Sequence, residues 1–368
     1  MSSQISNAEP LVRIAQREGA TFPQKVLVRA VAILLALVVD AFFIYFVTGL
    51  NPISVYRVMW NGTFMNTTRF SWAMRDLSSL LCIAIALAPA FKMRFWNIGA
   101  EGQVLIGGLA TAACMICLGD KLPNWLLICT MVAASIAAGA IWAVIPAIFK
   151  AKWNTNETLF TLMMNYVATQ LVSFFVILWE VPKGAGKIGI INQSTEAGWL
   201  PQIGDYKYLL NILIVAALTI LMYVYLNYSK HGYEIAVVGE SERTARYVGI
   251  KVEKVIIRTM VVSGAVCGLA GLLLVGGINH TVTTTIVSGR GFTAVMVSWL
   301  AKFNPIFMVF TSLLLVFLER GAGEIATDFG LNHSFGDILT GIILFFIIGC
   351  EFFINYKISF RKAAGKED

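Results

Sequence analysis

Charge is scarce in this 368-residue sequence: Asp, Glu, Lys and Arg together supply 13% of it, where a water-soluble domain carries about 25%. Hydrophobic residues supply 58%, and the mean hydropathy is +0.75. Length alone would suggest two soluble domains. The composition excludes them and indicates a polytopic membrane protein, because several apolar runs approach or exceed the ~18–20 residues that cross a bilayer. Catalytic signatures are lacking too. There is no G-x-x-x-x-G-K-[ST] loop to bind ATP, no H-E-x-x-H and no G-x-S-x-G turn. The three histidines, His231, His280 and His333, fall in different loops, which argues against a metal or hydrolytic centre. All six cysteines sit in or beside apolar runs, where cysteine acts as a small hydrophobe. Cys114-x-x-Cys117 has neither a second ligand pair nor a βαβ context. No A-x-A exit follows the first apolar run, so that run reads as an anchor behind a cytoplasmic N-terminal segment, 1–25.

What is present is a succession of apolar runs, at 26–48, 76–91, 102–118, 124–149, 158–180, 208–228, 255–277, 291–303, 304–320 and 336–356. They predict an all-α transmembrane bundle over 26–356 with about 10 spans, in a range of 8–11. The second and eighth runs are short enough to be re-entrant or tilted. With ten crossings and a cytoplasmic N-terminus, 19 of the 28 Lys and Arg fall inside, as the positive-inside rule requires. Both termini are then cytoplasmic, the tail being 357–368. The net charge of +7 is met by anionic lipid and calls for no nucleic acid. Two loops are long. The exterior one, 181–207, is rich in Gly and polar residues and has room for a short helix. The interior one, 227–258, contains ESERTARYVGI, which reads as a short helix ending at Gly249.

Ionisable residues within the spans are few, and Asp40, Glu101 at the mouth of the third and Glu180 at the end of the fifth are the main candidates. Asp40 is read as hydrogen-bonded to a neighbouring helix, with a proton relay as the alternative. The glycines Gly264, Gly268 and Gly271 share one helix face, for close packing or for sliding. In FWNIGAEGQ (95–103), two glycines permit a broken backbone while Asn97, Glu101 and Gln103 can satisfy the freed groups. The adjacent Lys92 and Arg94 place this stretch near the cytoplasmic side. Glu101 then either stabilises the head of its own helix or touches a substrate. In NETLFTLMMNY (156–166), Thr155 or Asn156 caps a helix that starts with Glu157, and Thr161 and Asn165 share a face suited to a polar path. Aromatics such as Phe95, Trp96 and Tyr166 would supplement such a path.

Those two stretches, with GYEIAVVGESERTARYVGIKV (232–252), VSGAVCGLAGLLLVGG (262–277) and GFTAVMVSWLAKFNPI (291–306), resemble the permease subunits of nucleoside and simple-sugar ABC importers, relatives of ribose and branched-chain amino-acid permeases. The resemblance covers roughly residues 75–320. It implies a non-catalytic subunit in a prokaryotic cytoplasmic membrane. The loop 229–254 would hold a coupling helix, Ser241, Glu242, Arg243, Thr244, Ala245, Arg246 and Tyr247 closed by Gly249, seated on a separate ATPase. Without the resemblance the same residues read as a solvated loop helix. ATP and Mg belong to that partner, and no cofactor to this chain. The other implied partners are a second, paralogous permease and an external substrate-binding lipoprotein. Purine nucleosides are the expected substrates, with ribose, another simple sugar or riboflavin as alternatives. An ion-coupled secondary carrier is the reading from outside this class.

Overall fold

The computed structural model describes residues 12–16, 22–204 and 206–360. The remainder of the expected 1–25 segment, and 361–368 of the expected tail, lie outside the described residues. In chain order the elements are β1 (Val12–Gln16), α1 (Phe22–Thr48), α2 (Pro52–Phe64), α3 (Thr67–Lys92), α4 (Ala100–Leu118), α5 (Asn124–Trp153) and α6 (Glu157–Trp179). Then come α7 (Leu209–Tyr228), α8 (Lys230–Glu240), α9 (Glu242–Tyr247), α10 (Val252–Leu274) with a π-helical extension to Asn279, α11 (Arg290–Leu300), α12 (Pro305–Asp328), α13 (His333–Asn355) and β2 (Tyr356–Phe360). They divide into two units, Met1–Met65 with Phe317–Asp368, and Asn66–Val316.

In the first unit α1 and α13 run antiparallel. Arg29 pairs with Glu351 at 2.6 Å near one end, and the Phe43 and Phe335 rings stack at 5.5 Å toward the other. Between them Ala32, Cys350 and Ile354 are buried together. Strand β1 pairs antiparallel with β2, Val12 opposite Phe360. The outer ends of the first and last membrane helices therefore lie side by side, which requires an even number of crossings. Helix α2, not anticipated from the sequence, starts at Asn51, whose side chain accepts from the Ile53 amide at 3.0 Å ahead of Pro52 at the first helical position. Asp40 departs from expectation. It is fully buried, yet neither carboxylate oxygen has a hydrogen-bond partner among the described residues. The neighbouring Tyr56 hydroxyl donates instead to the Leu37 carbonyl at 2.6 Å.

The second unit is organised around α3 and α10. Of the apolar window of α3, 83% is buried, against 22% for α1, so α3 is an interior helix of its own unit. Small residues let α10 approach two neighbours. A Cβ on Gly264 or Gly268 would strike α5 at the Gly139 or Ser135 carbonyl, and one on Gly271 would strike α4 at Val104 and Gly108. The glycine face is thus shared between two helices.

Nine helices among the described residues are long and apolar enough to cross a membrane. Two expectations need correction. The second span is not short: α3 has 26 residues, because it also takes in 67–75, where Arg69 and Arg75 mask the stretch in a hydropathy reading. The eighth is not a span by itself: α11 has 11 residues, about 16 Å. We read it, together with the irregular chain 280–289, as a broken tenth crossing, which the even count calls for. The loop 181–207, expected on the exterior, contains no helix among its described residues. It is pinned by backbone bonds from Ile191 to His280 (2.8 Å) and from Leu200 to Gly276 (2.9 Å). Glu180, one residue past α6, accepts from the Gly184 and Gly186 amides, 2.8 Å each. Those two bonds hold its carboxyl below the usual glutamate range.

Candidate functional site

Helix α3 ends on Arg94, in the left-handed conformation at φ 61°. The amides of Arg94 and Phe95 close back on the carbonyls of Phe91 (2.9 Å) and Ala90 (2.9 Å), a Schellman closure with arginine where glycine is usual. The chain then turns into α4 through residues 95–99, where side chains from three helices hold the turn. Asn97 and Gln103 pair amide to amide at 3.2 and 3.3 Å. Asn97 Oδ1 also accepts from the Gly99 amide at 3.0 Å, and its Nδ2 donates to Ser263 Oγ on α10 at 3.4 Å. From α6, Asn165 donates to the Ile98 carbonyl and accepts from the Gly102 amide, both at 2.9 Å. Thr161 Oγ accepts from the Ile98 amide at 3.2 Å. Gly102 has no room for a side chain, because a Cβ there would sit 2.9 Å from Asn165 Oδ1.

Glu101 reaches a segment far along the chain. Its two carboxylate oxygens accept from the amides of Gly289 (2.9 Å) and Gly291 (2.7 Å), free donors at the N-terminus of α11. A helix start carries unpaired N–H groups and partial positive charge, so a carboxylate suits it. Gly289 caps α11 at φ 73°, a conformation glycine adopts without strain. A Cβ on Gly291 would fall 2.6 Å from Glu101 Oε2. Between these two glycines, Arg290 extends to Asp76 on α3 at 3.0 Å, and Arg75 binds the same carboxylate at 3.1 Å. Glu101, Asp76, Arg290 and Arg75 make a formally neutral group.

Helix rise sets the depth. Ser263 stands about 16 Å along α10 from Val252, and Asp76 about 24 Å along α3 from Lys92. The Gly289–Gly291 backbone, tied to Asp76 through Arg290, thus lies far along α3 from Lys92, where α8 packs, whereas the 95–99 turn follows directly on that end of α3. Non-helical backbone at such depth persists only when buried in protein or lining a water-filled cavity.

At that surface, α8 packs so closely on the end of α3 that a Cβ on Gly239 would meet the Lys92 carbonyl. Sequence reading missed α8 inside the charged loop, although Ser229 caps it on the Gly232 amide at 3.0 Å. Arg258 on α10 binds Glu234 of α8 at 2.8 Å, and that hydrogen bond holds the Glu234 carboxyl below the usual range. Helix α9 is closed at both ends. Ser241 Oγ accepts from the Thr244 amide at 3.2 Å, and the amides of Gly249 and Ile250 return to the Arg246 (3.1 Å) and Ala245 (2.9 Å) carbonyls. Ala245 is buried beneath it; Glu242, Arg243, Thr244 and Arg246 are exposed, and Tyr247 is 92% exposed.

The residues expected along a polar path are therefore distributed unevenly. Phe95, Asn97, Gln103, Thr161 and Asn165 are buried, and their polar groups close the α3–α4 turn instead of lining open space. Asn156 caps α6 by accepting from the Leu159 amide at 3.1 Å. Trp96 and Tyr166 are exposed. Asp76 and Arg290 were not foreseen. Asp76 opens one apolar run behind Arg75 and Arg290 directly precedes another, and only their mutual contact marks them. Among the described residues no group of three or more His, Cys, Asp or Glu could hold a metal ion.

The family described as branched-chain amino acid transport system, permease component, matches residues 70–348. The chain is 31% identical over 325 residues to the guanosine ABC transporter permease protein NupP of Bacillus subtilis, covering 87% of this chain and 92% of that one. It is 28% identical over 350 residues to the nucleoside ABC transporter permease protein NupB of Lactococcus lactis, covering 92% and 95%. With the glucose ABC transporter permease protein TsgB13 of Haloferax volcanii it shares 26% over 321 residues, 84% of each chain. With its many membrane-spanning helices and a family match over most of its length, the chain belongs to the branched-chain amino acid transport-type permeases and is a multi-pass ABC transporter permease.

Proposed function

We propose that this chain forms one half of the translocation path of an ATP-driven importer of nucleosides, purine nucleosides first, and works with separate ATPase subunits. The observation that carries the substrate class is similarity along nearly the full length to guanosine and nucleoside permeases. The glucose permease shares less, which makes a simple sugar the second reading. Membership of an ABC permease family sets the ion-coupled carrier aside.

Helix α9 is the coupling element in this reading. Being closed at both ends, it moves as one body. Its neighbour α8 is tied to α3 at Lys92 and to α10 at Arg258, the two helices that flank the turn at Asn97 and Ser263. A push on α9 from a closing ATPase pair is thereby delivered to the broken crossing, as a small shift of packed helices. ATP and Mg are bound by that partner, while this chain performs no chemistry. A second, non-identical permease completes the path and an external lipoprotein delivers the substrate. Both ends of the chain face the cytoplasm of a prokaryotic cell, as the distribution of basic residues suggests.

Deleting Arg243–Gly249 tests the coupling role. The expected result is loss of co-purifying ATPase and loss of uptake while the permease stays in the membrane; a deletion mutant that keeps its ATPase and still transports refutes the assignment. Uptake of radiolabelled guanosine, glucose and ribose by the whole transporter, with and without an uncoupler at constant ATP, tests substrate and energy source. Guanosine entry that survives the uncoupler is expected. Uptake of glucose alone would overturn the nucleoside reading.

A further inference from the structure

The turn leading into α11 presents hydroxyl groups at membrane depth. Residues 281–288 read TVTTTIVS, and Thr285 and Ser288 are exposed. The amides of Gly289 and Gly291 on Glu101 and the guanidinium of Arg290 on Asp76 anchor this turn. Asp76 is about 24 Å from one end of α3 and about 14 Å from the other. Ser288 Oγ donates to the Thr285 carbonyl at 3.0 Å, and non-helical backbone at that depth persists only against protein or water, so this exposed surface either meets a second protein or lines a water-filled path. Directly below, α11 carries Phe292, Met296 and Trp299 along one face at spacings of four and three. Trp96, from the α3–α4 turn, stacks on Trp299 with ring centres 5.0 Å apart and planes 23° from parallel. These four side chains are between 36% and 46% exposed.

We infer that the Thr285–Ser288 turn and the Phe292–Met296–Trp299 face of α11, with Trp96, form the substrate contact of the path and take a ligand that joins a planar aromatic base to a hydroxylated sugar. The inference rests on the nucleoside reading above and adds to it the surface that would recognise such a molecule. Aromatic faces stack on a base of any identity, whereas threonine and serine hydroxyls both donate to and accept from ribose hydroxyls and base edges. The charges nearby cancel within the Glu101, Asp76, Arg290 and Arg75 group, so no net field opposes a neutral solute. A broken crossing of this kind places polar backbone and exposed side chains near the midplane, where carriers bind their substrates.

The test uses the whole transporter, both permeases with ATPase and lipoprotein, in membranes. Ser288→Cys is treated with a membrane-impermeant methanethiosulfonate, with the parent as reference because its own Cys117 and Cys129 are exposed. The expected result is that guanosine uptake by Ser288→Cys becomes sensitive to the reagent and that guanosine, but not ribose, slows the modification. Failure to react, because lipid or the second permease covers the turn, overturns the inference, as does modification that guanosine does not slow. Independently, Trp299→Ala is expected to raise the KM for guanosine about tenfold while Trp299→Phe stays within about twofold of the parent. Equal KM values in all three refute the stacking role. The two readings fail separately: a parent that imports glucose and not guanosine sinks the nucleoside reading, whereas a guanosine-importing parent with indifferent variants sinks this inference alone.

Discussion

Glu101 and Asp40 are both carboxylates within membrane helices, and the protein treats them in opposite ways. Glu101 receives two backbone N–H groups from the start of α11, whereas Asp40, fully buried in α1, has no hydrogen-bond partner among the described residues. The difference teaches that an acidic residue in a span takes its role from the donors that converge on it. Depth and charge alone do not assign that role. Glu101 holds together a crossing that would otherwise leave helix-start amides unpaired, and an unpaired buried amide is costly. Glu234, outside the spans, stands between the two, with a charged partner in Arg258.

Substitutions along this series should separate the cases. Glu101→Ala strands two amides at about 1–3 kcal/mol each. It is expected to lower stability by about 2–6 kcal/mol in all and to abolish uptake, measured by thermal unfolding in detergent alongside transport. Glu101→Gln keeps one good acceptor and should fall between; a Gln variant as damaged as Ala would mean that charge, not hydrogen bonding, is what α11 needs. Next comes Arg290→Met, expected to cost about 2 kcal/mol. That is less than the about 3–5 of a stripped buried pair, because Arg75 remains on Asp76 at 3.1 Å. Adding Arg75→Met should then cost more than the sum of the two singles, and strict additivity would show that the pair is not shared.

Glu234→Gln is smaller, about 0.5–1 kcal/mol for a partly exposed ion pair, and depends on pH. Because the folded carboxyl titrates below its ordinary value of 4.5, its contribution is complete above that value and fades as pH falls through the lower folded one. Melting temperatures of parent and variant should therefore differ at neutral pH and converge in acid; a constant gap would assign the effect to packing. Asp40→Leu closes the series with the smallest change. Removing an unpartnered buried carboxylate should leave the melting temperature equal to the parent's or above it, and a clear drop would reveal a partner for Asp40.

The sequence shows those features whose cause is local. The end of α9 at Gly249 is legible because a cap is decided within a few residues and is recognised by type; the Ser241 cap at its start follows the same local rule but was not anticipated. The irregularity of FWNIGAEGQ is legible for the same reason: two glycines and three polar side chains cannot continue an apolar helix. Helix α8 escaped notice because its burial is against α3, and a charged loop gives no hint of that surface. The length of α3 escaped because Arg69 and Arg75, ahead of the run that starts at Asp76, count against a span.

By itself the sequence determined that the chain crosses a membrane repeatedly, where most crossings lie, and that a short helix in the charged loop ends at Gly249. Hydrophobic length and capping chemistry act over one helix at most. Only the tertiary structure decided that Glu101 serves α11, 188 and 190 residues further along, that the eighth run is the helical half of a broken crossing, and that Asn165 and Thr161 are spent on the α3–α4 turn. Backbone donors freed by a break must be satisfied by whatever packs against them, and which groups those are is a property of the folded bundle, not of any stretch of chain.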